Sequence, residues 1–351
     1  MLVLVTGGSG FIGSHSTAEL IRAGHRVRLL VRDAARAVAA LRPLGVPESS
    51  VEFVTGDITD PGRVAAAVRG CDAVLHAAAV YSFDSRDHAT MRRVNASGTE
   101  TVLAAARAAG ADPIVYVSTF GALVPSADDP VTTRTAVGRP AETYLASKAE
   151  AERIARRHAD SGAPVVITYP SATLGPHDPG LGDQTTRVRN VLRGLMPMWP
   201  TGGFPVGDVR DVARLHAAVL TPGLGPRRFL AQGRYLSTRD FVRTLREVTG
   251  RRLPAVYLPA ASMLPVGRLT GLVQRAVPVH IPAEYGAIYT CAVGRPIDCT
   301  ATDELLGGTG RPVAETMADT VGWLYRAGHL SRRLAGRAAD SGSAVTVVPS
   351  A

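Results

Sequence analysis

Through its first half the chain alternates short β-branched runs with alanine-rich stretches of helical period, the pattern of βαβ units on a parallel sheet. Strands are predicted at Leu2–Val5, Val27–Val31, Val51–Val54, Ala73–Leu75, Ile114–Val117 and Val165–Tyr169, and helices at Ser14–Ala23, Pro61–Arg69, Met91–Ala109 and Ala141–Asp160. After Pro170 the alternation fades and proline and glycine become frequent, so 171–207 reads as largely irregular. A helix at Arg210–Leu220 and a strand at Arg228–Ala231 then rejoin the sheet. No 20–50-residue period recurs, which excludes a solenoid. The expected organisation is a parallel-sheet domain built from 1–170 and 208–233, a smaller lobe from 171–207 and 234–330, and a mobile tail at 331–351. The apolar stretch Leu253–Gly267 is interrupted by prolines and too short for a bilayer, so it reads as pocket or core.

With 351 residues and 46% apolar content, the chain can bury a substantial core, and a disordered or disulfide-stapled class is excluded. Three widely spaced cysteines (Cys71, Cys291, Cys299) form neither a disulfide framework nor a zinc ribbon. With no basic leader and no long apolar run, a cytoplasmic protein is expected. The net charge of +9 comes from basic residues scattered along the chain, which favours solvated surface over a nucleic-acid patch. No His, Asp and Glu cluster has metal-ligand spacing, so no metal is expected. One count changes the picture: of the 39 basic residues, Lys148 alone is lysine.

The run Thr6-Gly-Gly-Ser-Gly-Phe-Ile-Gly13 lies between the first strand and the first helix. There Gly7 suits a tight turn, Gly10 lets backbone approach a diphosphate, and Gly13 allows close helix packing. The helix N-terminus, with Phe11 and Ile12 beside it, offers free N–H groups to the anion. This predicts a Rossmann-type doubly wound α/β sheet binding a dinucleotide. Strand two ends Val31-Arg32-Asp33. Arg32, with Arg36 a turn further on, suits the 2′-phosphate of NADP(H), whereas a one-residue shift in register would present Asp33 to an NAD(H) ribose. NADP(H) is the preferred reading. After strand three, Asp57 is placed to accept from an adenine amino group and Ile58 to pack on the ring, with an ordinary turn as the alternative.

Tyr144 and Lys148 fall at i and i+4, on one face of a helix. A phenol with an ordinary pKa near 10 needs a cation beside it to exchange protons at neutral pH, and a compact ammonium also donates to a ribose hydroxyl. The segment Val115-Tyr-Val-Ser118-Thr119 ends a strand in two hydroxyls 25 residues before Tyr144. A hydroxyl there can hold a substrate oxygen towards the phenol.

With TGGSGFIG, GDITD, LHAAAVYS, RRVNASGTETVL, YVSTFGAL, YLASK and GDVRDVA in this order over roughly residues 1–235, the chain resembles an extended short-chain dehydrogenase/reductase of the NAD(P)-dependent epimerase/dehydratase group. The resemblance implies Thr119, Tyr144 and Lys148 as catalytic hydroxyl, general acid/base and activator. It also implies that Ala77, Ala78 and Ala79 line the dinucleotide, Asn95 supports the site, and Pro170 packs near the nicotinamide. Members often form homodimers through helices corresponding to Met91–Ala109 and Tyr144–Asp160. The VRD ending of strand two and the VTGxxGFIGSH-type opening are similar to dihydroflavonol-reductase-like and 3β-hydroxysteroid-dehydrogenase-like members. Phe120 and Gly121 stand where sugar dehydratases carry acids, and His177 stands where nucleotide-sugar members tend to carry arginine. The expected activity is hydride transfer to or from a carbonyl or secondary alcohol on an apolar small molecule. The alternatives are a nucleotide-sugar epimerase with retained NAD(P) and a non-catalytic NADP-binding regulator. Candidates for the substrate wall are Tyr81, Phe83, Phe120, Leu174, Met196, Met198, Trp199 and Phe204, with core packing as their alternative role. His76 reads as a packed residue rather than a catalyst.

Overall fold

The computed structural model describes residues 1–80, 88–265, 267 and 285–341. Each β-branched run forms a strand, and the small-residue stretch after it crosses back as a helix. Thus β1 (Leu2–Thr6) leads to α1 (Phe11–Arg22), β2 (Arg26–Val31) to α2 (Ala34–Leu41) and β3 (Val51–Thr55) to α3 (Pro61–Val68). β4 (Ala73–His76) precedes α4 (His88–Arg92) and α5 (Gly98–Ala108), β5 (Ile114–Val117) leads to α6 (Thr143–Asp160), and β6 (Val165–Tyr169) follows. Caps fix two of the helix starts: Asp33 accepts from the Arg36 amide ahead of α2, and Asp60 does the same for α3, whose first residue is proline.

The remaining elements are β7 (Ala172–Leu174), α7 (Asp183–Leu192), β8 (Met198–Pro200), β9 (Gly203–Asp208), α8 (Val209–Ala218), β10 (Arg227–Leu230), β11 (Arg234–Ser237), α9 (Thr238–Thr249) and β12 (Val256–Leu258). Helices α10 (Tyr285–Val293), α11 (Thr300–Leu306), α12 (Val313–Arg326) and α13 (Arg332–Ala335) follow. Seven strands form the main sheet in the order β10-β6-β5-β4-β1-β2-β3, all pairs parallel. The chain leaves β1 on one side for β2 and on the other for β4. That switch point opens a crevice at the carboxyl ends of the strands, where ligands bind in such sheets. Apolar cores fill both faces of the sheet. Small residues on α1, among them Ser14, Thr17 and Ala18, are buried where it packs against α8. Smaller sheets, β11-β9-β7 and β12-β8, lie beside the main one.

Three expectations need correction. The stretch 171–207 is not irregular, for it holds β7, α7, β8 and β9. Helix α7 escapes a hydropathy reading because its buried residues include Thr185, Arg187 and Asn190 as well as Val188, Val191 and Leu192. The single helix expected over 91–109 is broken by a π-helical turn at Arg93–Ser97, and α2 was not anticipated. Of the expected tail, α13 and the 3₁₀ segment Gly336–Asp340 pack Ala335, Ala338 and Ala339 into the core, while 342–351 lie outside the described residues. No helix among the described residues is long and apolar enough to cross a membrane.

Candidate functional site

The glycine loop turns from β1 into α1 in close backbone contact with the β4 end. Gly7 has φ +79°, and a Cβ there would lie 2.6 Å from the Ala78 nitrogen. At Gly13 a Cβ would lie 2.1 Å from the Gly7 carbonyl oxygen. The loop is closed by the Gly10 amide donating to the Gly7 carbonyl at 2.9 Å, and no side chain caps the N-terminus of α1. Free helix N–H groups above a loop with no room for side chains fit a dinucleotide diphosphate.

At the end of β2, Arg32, Asp33 and Arg36 are all exposed. The Asp33 carboxylate accepts from the Arg36 amide at 3.1 Å as the cap of α2. Past β3, Asp57 accepts from the Thr59 amide and hydroxyl, and these bonds, aided by Arg32 and Arg93, hold its carboxyl below the usual range. Ile58 is buried against α5, where a Cβ on Gly98 would lie 2.6 Å from its Cδ1.

Beyond β4, Ala77 and Ala78 are half-buried and Ala79 exposed. His76 is buried between the Thr6 hydroxyl at 2.7 Å and the Thr99 hydroxyl at 3.1 Å, while Thr99 donates to the Asn95 carbonyl. Burial, with Lys148 adding to it, pushes His76 down to about 3, so it is a neutral packing group. Asn95 sits in the π-helical turn, a device common at functional sites. Its amide bonds both backbone groups of Val80 and donates to Ser147, whose hydroxyl donates to the Tyr144 carbonyl. The turn thus ties the loop after β4 to the helix carrying Tyr144.

On α6, Tyr144 is half-buried and Lys148 buried. The Lys148 ammonium donates to the Val117 carbonyl at 2.9 Å and the Tyr116 hydroxyl at 3.3 Å, and lies 5.0 Å from the Tyr116 ring centroid. Burial lowers Lys148 to about 8, against the opposing field of Glu152 a turn further along. Burial raises the Tyr144 phenol above its usual value, and the carboxylates of Glu142 and Asp183 raise it further. The expected lowering by Lys148 is not found: its ammonium is directed to the Val117 carbonyl and the Tyr116 hydroxyl. Glu142 caps α6 by accepting from the Tyr144 amide at 2.9 Å and the Leu145 amide at 2.8 Å. Thr119 caps the short turn after β5, its Oγ1 accepting from the Gly121 amide at 3.2 Å. Pro170 is buried and its carbonyl accepts from the Phe120 amide.

The substrate-wall candidates divide. Phe120, Leu174 and Phe204 are core residues, with the Phe204 ring 5.6 Å from Phe241. Met196, Met198 and Trp199 line an apolar cavity of about 210 Å³ between α7, β8 and α10. Tyr81 and Phe83 lie outside the described residues. Sequence reasoning missed Glu142, Asp183 and Arg187. The first was readable as a helix cap just ahead of Tyr144, whereas the other two sit on the unpredicted α7. No group of three or more His, Cys, Asp or Glu among the described residues is placed to hold a metal ion.

Comparison with known proteins agrees with this geometry. The model of the NAD dependent epimerase/dehydratase family matches residues 3–230. The chain is 31% identical over 303 residues to the 4-hydroxy-2-methyl-3-oxo-4-farnesyl-3,4-dihydroquinoline-1-oxide ketoreductase of Stigmatella aurantiaca, covering 82% of this chain and 86% of the relative. It is 28% identical over 334 residues to sterol demethylase protein B of Methylococcus capsulatus, covering 93% and 99%. The crystal structure of gox2253 superposes with a TM-score of 0.78 at 28% identity, covering 94% of this chain and 99% of the other.

Proposed function

The chain belongs to the NAD-dependent epimerase/dehydratase family, and from that premise we propose that this NAD(P)-dependent oxidoreductase reduces a carbonyl group on an apolar small molecule, with NADPH preferred. The observation that carries the reading is the placement of Tyr144 and Lys148 one turn apart on α6, a helix fixed through Ser147 and Asn95 to the loop after β4. NADPH, when bound, supplies the hydride.

The chain's own groups do the rest. Tyr144 gives its proton to the carbonyl oxygen. The Thr119 oxygen already accepts from the Gly121 amide, so its own proton is left to hold the substrate oxygen. Lys148 spends two donors on Val117 and Tyr116, leaving its third for a ribose hydroxyl. The Gly7–Gly13 loop and the start of α1 take the diphosphate, and Arg32 with Arg36 takes the 2′-phosphate, the neighbouring Asp33 being engaged as a helix cap. Apolar relatives' substrates, a farnesylated quinoline among them, support an apolar skeleton. In this reading 1–170 with 208–233 carries the cofactor, and 171–207 with 234–330 selects the substrate.

The test is NADPH and NADH titration of the purified protein, then consumption of reduced nicotinamide against a panel of apolar ketones and aldehydes. Turnover is expected with NADPH, and Tyr144→Phe lowers kcat by roughly 10²–10⁴-fold without weakening NADPH binding. Conversion of a nucleotide sugar with no net cofactor consumption would overturn the proposal in favour of an epimerase.

A further inference from the structure

Arg187 on α7 is 6% exposed, yet no carboxylate pairs with it among the described residues. Its partners are the Gln184 side-chain oxygen at 3.0 Å and the Phe204 ring, whose centroid lies 5.0 Å from the guanidinium carbon. Of the half-buried arginines, Arg156 is matched by Glu152, Arg210 by Asp208 and Asp319, and Arg311 by Asp211, while Arg246 and Arg251 spend their donors on backbone carbonyls, which Arg187 does not reach among the described residues. Burying a guanidinium without a counter-charge is costly, so its retention needs an explanation.

The surroundings of Arg187 supply one. It lines the cavity of about 210 Å³ whose other walls include Met196, Met198, Trp199, Met263 and Ile288. The polar side chain nearest in kind, the Cys291 thiol on the same wall, is pushed up to about 11 by burial and stays neutral, so it cannot compensate the charge. The cavity therefore presents one buried cation in apolar walls. Asp183, whose charge acts on Tyr144, starts the same helix one turn before Arg187, about 6 Å along its axis.

We infer that Arg187 binds an anionic oxygen group, a carboxylate or a phosphate, on an amphipathic substrate whose apolar chain fills this cavity. The further statement that the reducible carbonyl of that molecule lies at Tyr144 rests on the reductase reading; the binding of the anion does not. Bidentate guanidinium–oxyanion bonding against apolar walls gives both affinity and orientation. A neutral ester or alcohol of the same chain would leave the cation uncompensated.

Calorimetric titration in the presence of NADP⁺ tests the inference with redox-inert ligands, so an absence of hydride transfer would overturn the reductase reading alone. Octanoate, methyl octanoate and octanoyl-CoA are compared on the wild type, Arg187→Met and Arg187→Lys. The wild type is expected to favour octanoate over its methyl ester by about 30-fold or more, Arg187→Met to erase that preference, and Arg187→Lys to keep part of it. Strong binding of octanoyl-CoA with weak binding of octanoate, again lost in Arg187→Met, identifies the anion as a phosphate. Equal binding of acid and ester by the wild type together with octanoyl-CoA binding that Arg187→Met leaves unchanged, no binding of either anion, or an acid preference surviving in Arg187→Met would each overturn the inference. Melting temperatures accompany every variant, and if Arg187→Met does not fold, the reduced preference of Arg187→Lys carries the test.

Discussion

Two buried cations on successive helices of the chain have opposite surroundings. Lys148, above the carboxyl ends of β4 and β5, is held by a backbone carbonyl and a tyrosine hydroxyl, with the Glu152 carboxylate a turn away. Arg187, beside the cavity, has among the described residues only an amide oxygen and an aromatic face. At the sheet ends the polar groups are wired to one another: Thr6 to His76 to Thr99 to Asn95, and Asn95 through Ser147 to Tyr144. Such a closed network suits one fixed, chemically constant ligand. The region around α7 leaves its charge open, as a site for variable ligands does. On the proposed function, the difference teaches that rigidity and specificity are built into separate parts of the chain.

The tight half should break first. Gly13→Ala would drive a Cβ into the backbone of Gly7, which has no flexible end to move aside. The expected cost is about 3 kcal/mol of unfolding free energy, with loss of NADPH binding. Gly180 has nothing within 4 Å of where a Cβ would sit, and Gly180→Ala should stay within about 0.5 kcal/mol. Urea denaturation of both variants checks the contrast, and equal costs would erase it.

The next effect concerns the charge buried at the sheet ends. The folded chain lowers Lys148 to about 8 through burial, so between pH 8 and the ordinary lysine range the unfolded chain binds the extra proton. Stability contributed through this group therefore rises with pH across that window. Below it, the folded chain carries the buried ammonium at a cost. Relative to Lys148→Met, the wild type should gain about 2 kcal/mol of unfolding free energy between pH 7 and 10. The difference between the two proteins isolates this term from Tyr144, whose raised pKa acts in the opposite sense at higher pH. A flat difference across the range would mean that Lys148 is not desolvated.

The same contrast governs what could be read from the sequence. The parallel sheet was legible because its strands are continuous β-branched runs, and the glycine loop because only glycine satisfies its contacts. Tyr144 and Lys148 were legible as a helical pair. The partners of Lys148, Val117 and Tyr116, were not, being about thirty residues away and one of them a backbone oxygen. Helix α7 was hidden because its buried face is partly polar, and that polarity is what makes Arg187 informative. Trp199 and Phe204 look alike in sequence, and hydropathy cannot tell the side chain that lines a cavity from the one that only packs under it.

The smallest effects sharpen the comparison at the far end of the same crevice, where the sheet half also leaves a cation exposed. Arg32 and Asp33 are neighbours with opposite charges, and which one faces the ribose decides the cofactor. The Asp33 carboxylate is engaged with the Arg36 amide, so reaching a ribose would uncap α2. Arg32→Ser should therefore weaken NADPH relative to NADH by about 30-fold, the loss of a charge-assisted phosphate contact. Asp33→Ala should cost about 1 kcal/mol of stability as a lost helix cap, while the cofactor ratio stays nearly constant. Competitive titration of the two dinucleotides against both variants separates the roles. If Asp33→Ala changes the ratio more than Arg32→Ser does, the carboxylate faces the ribose, and this end of the crevice is built for NADH instead.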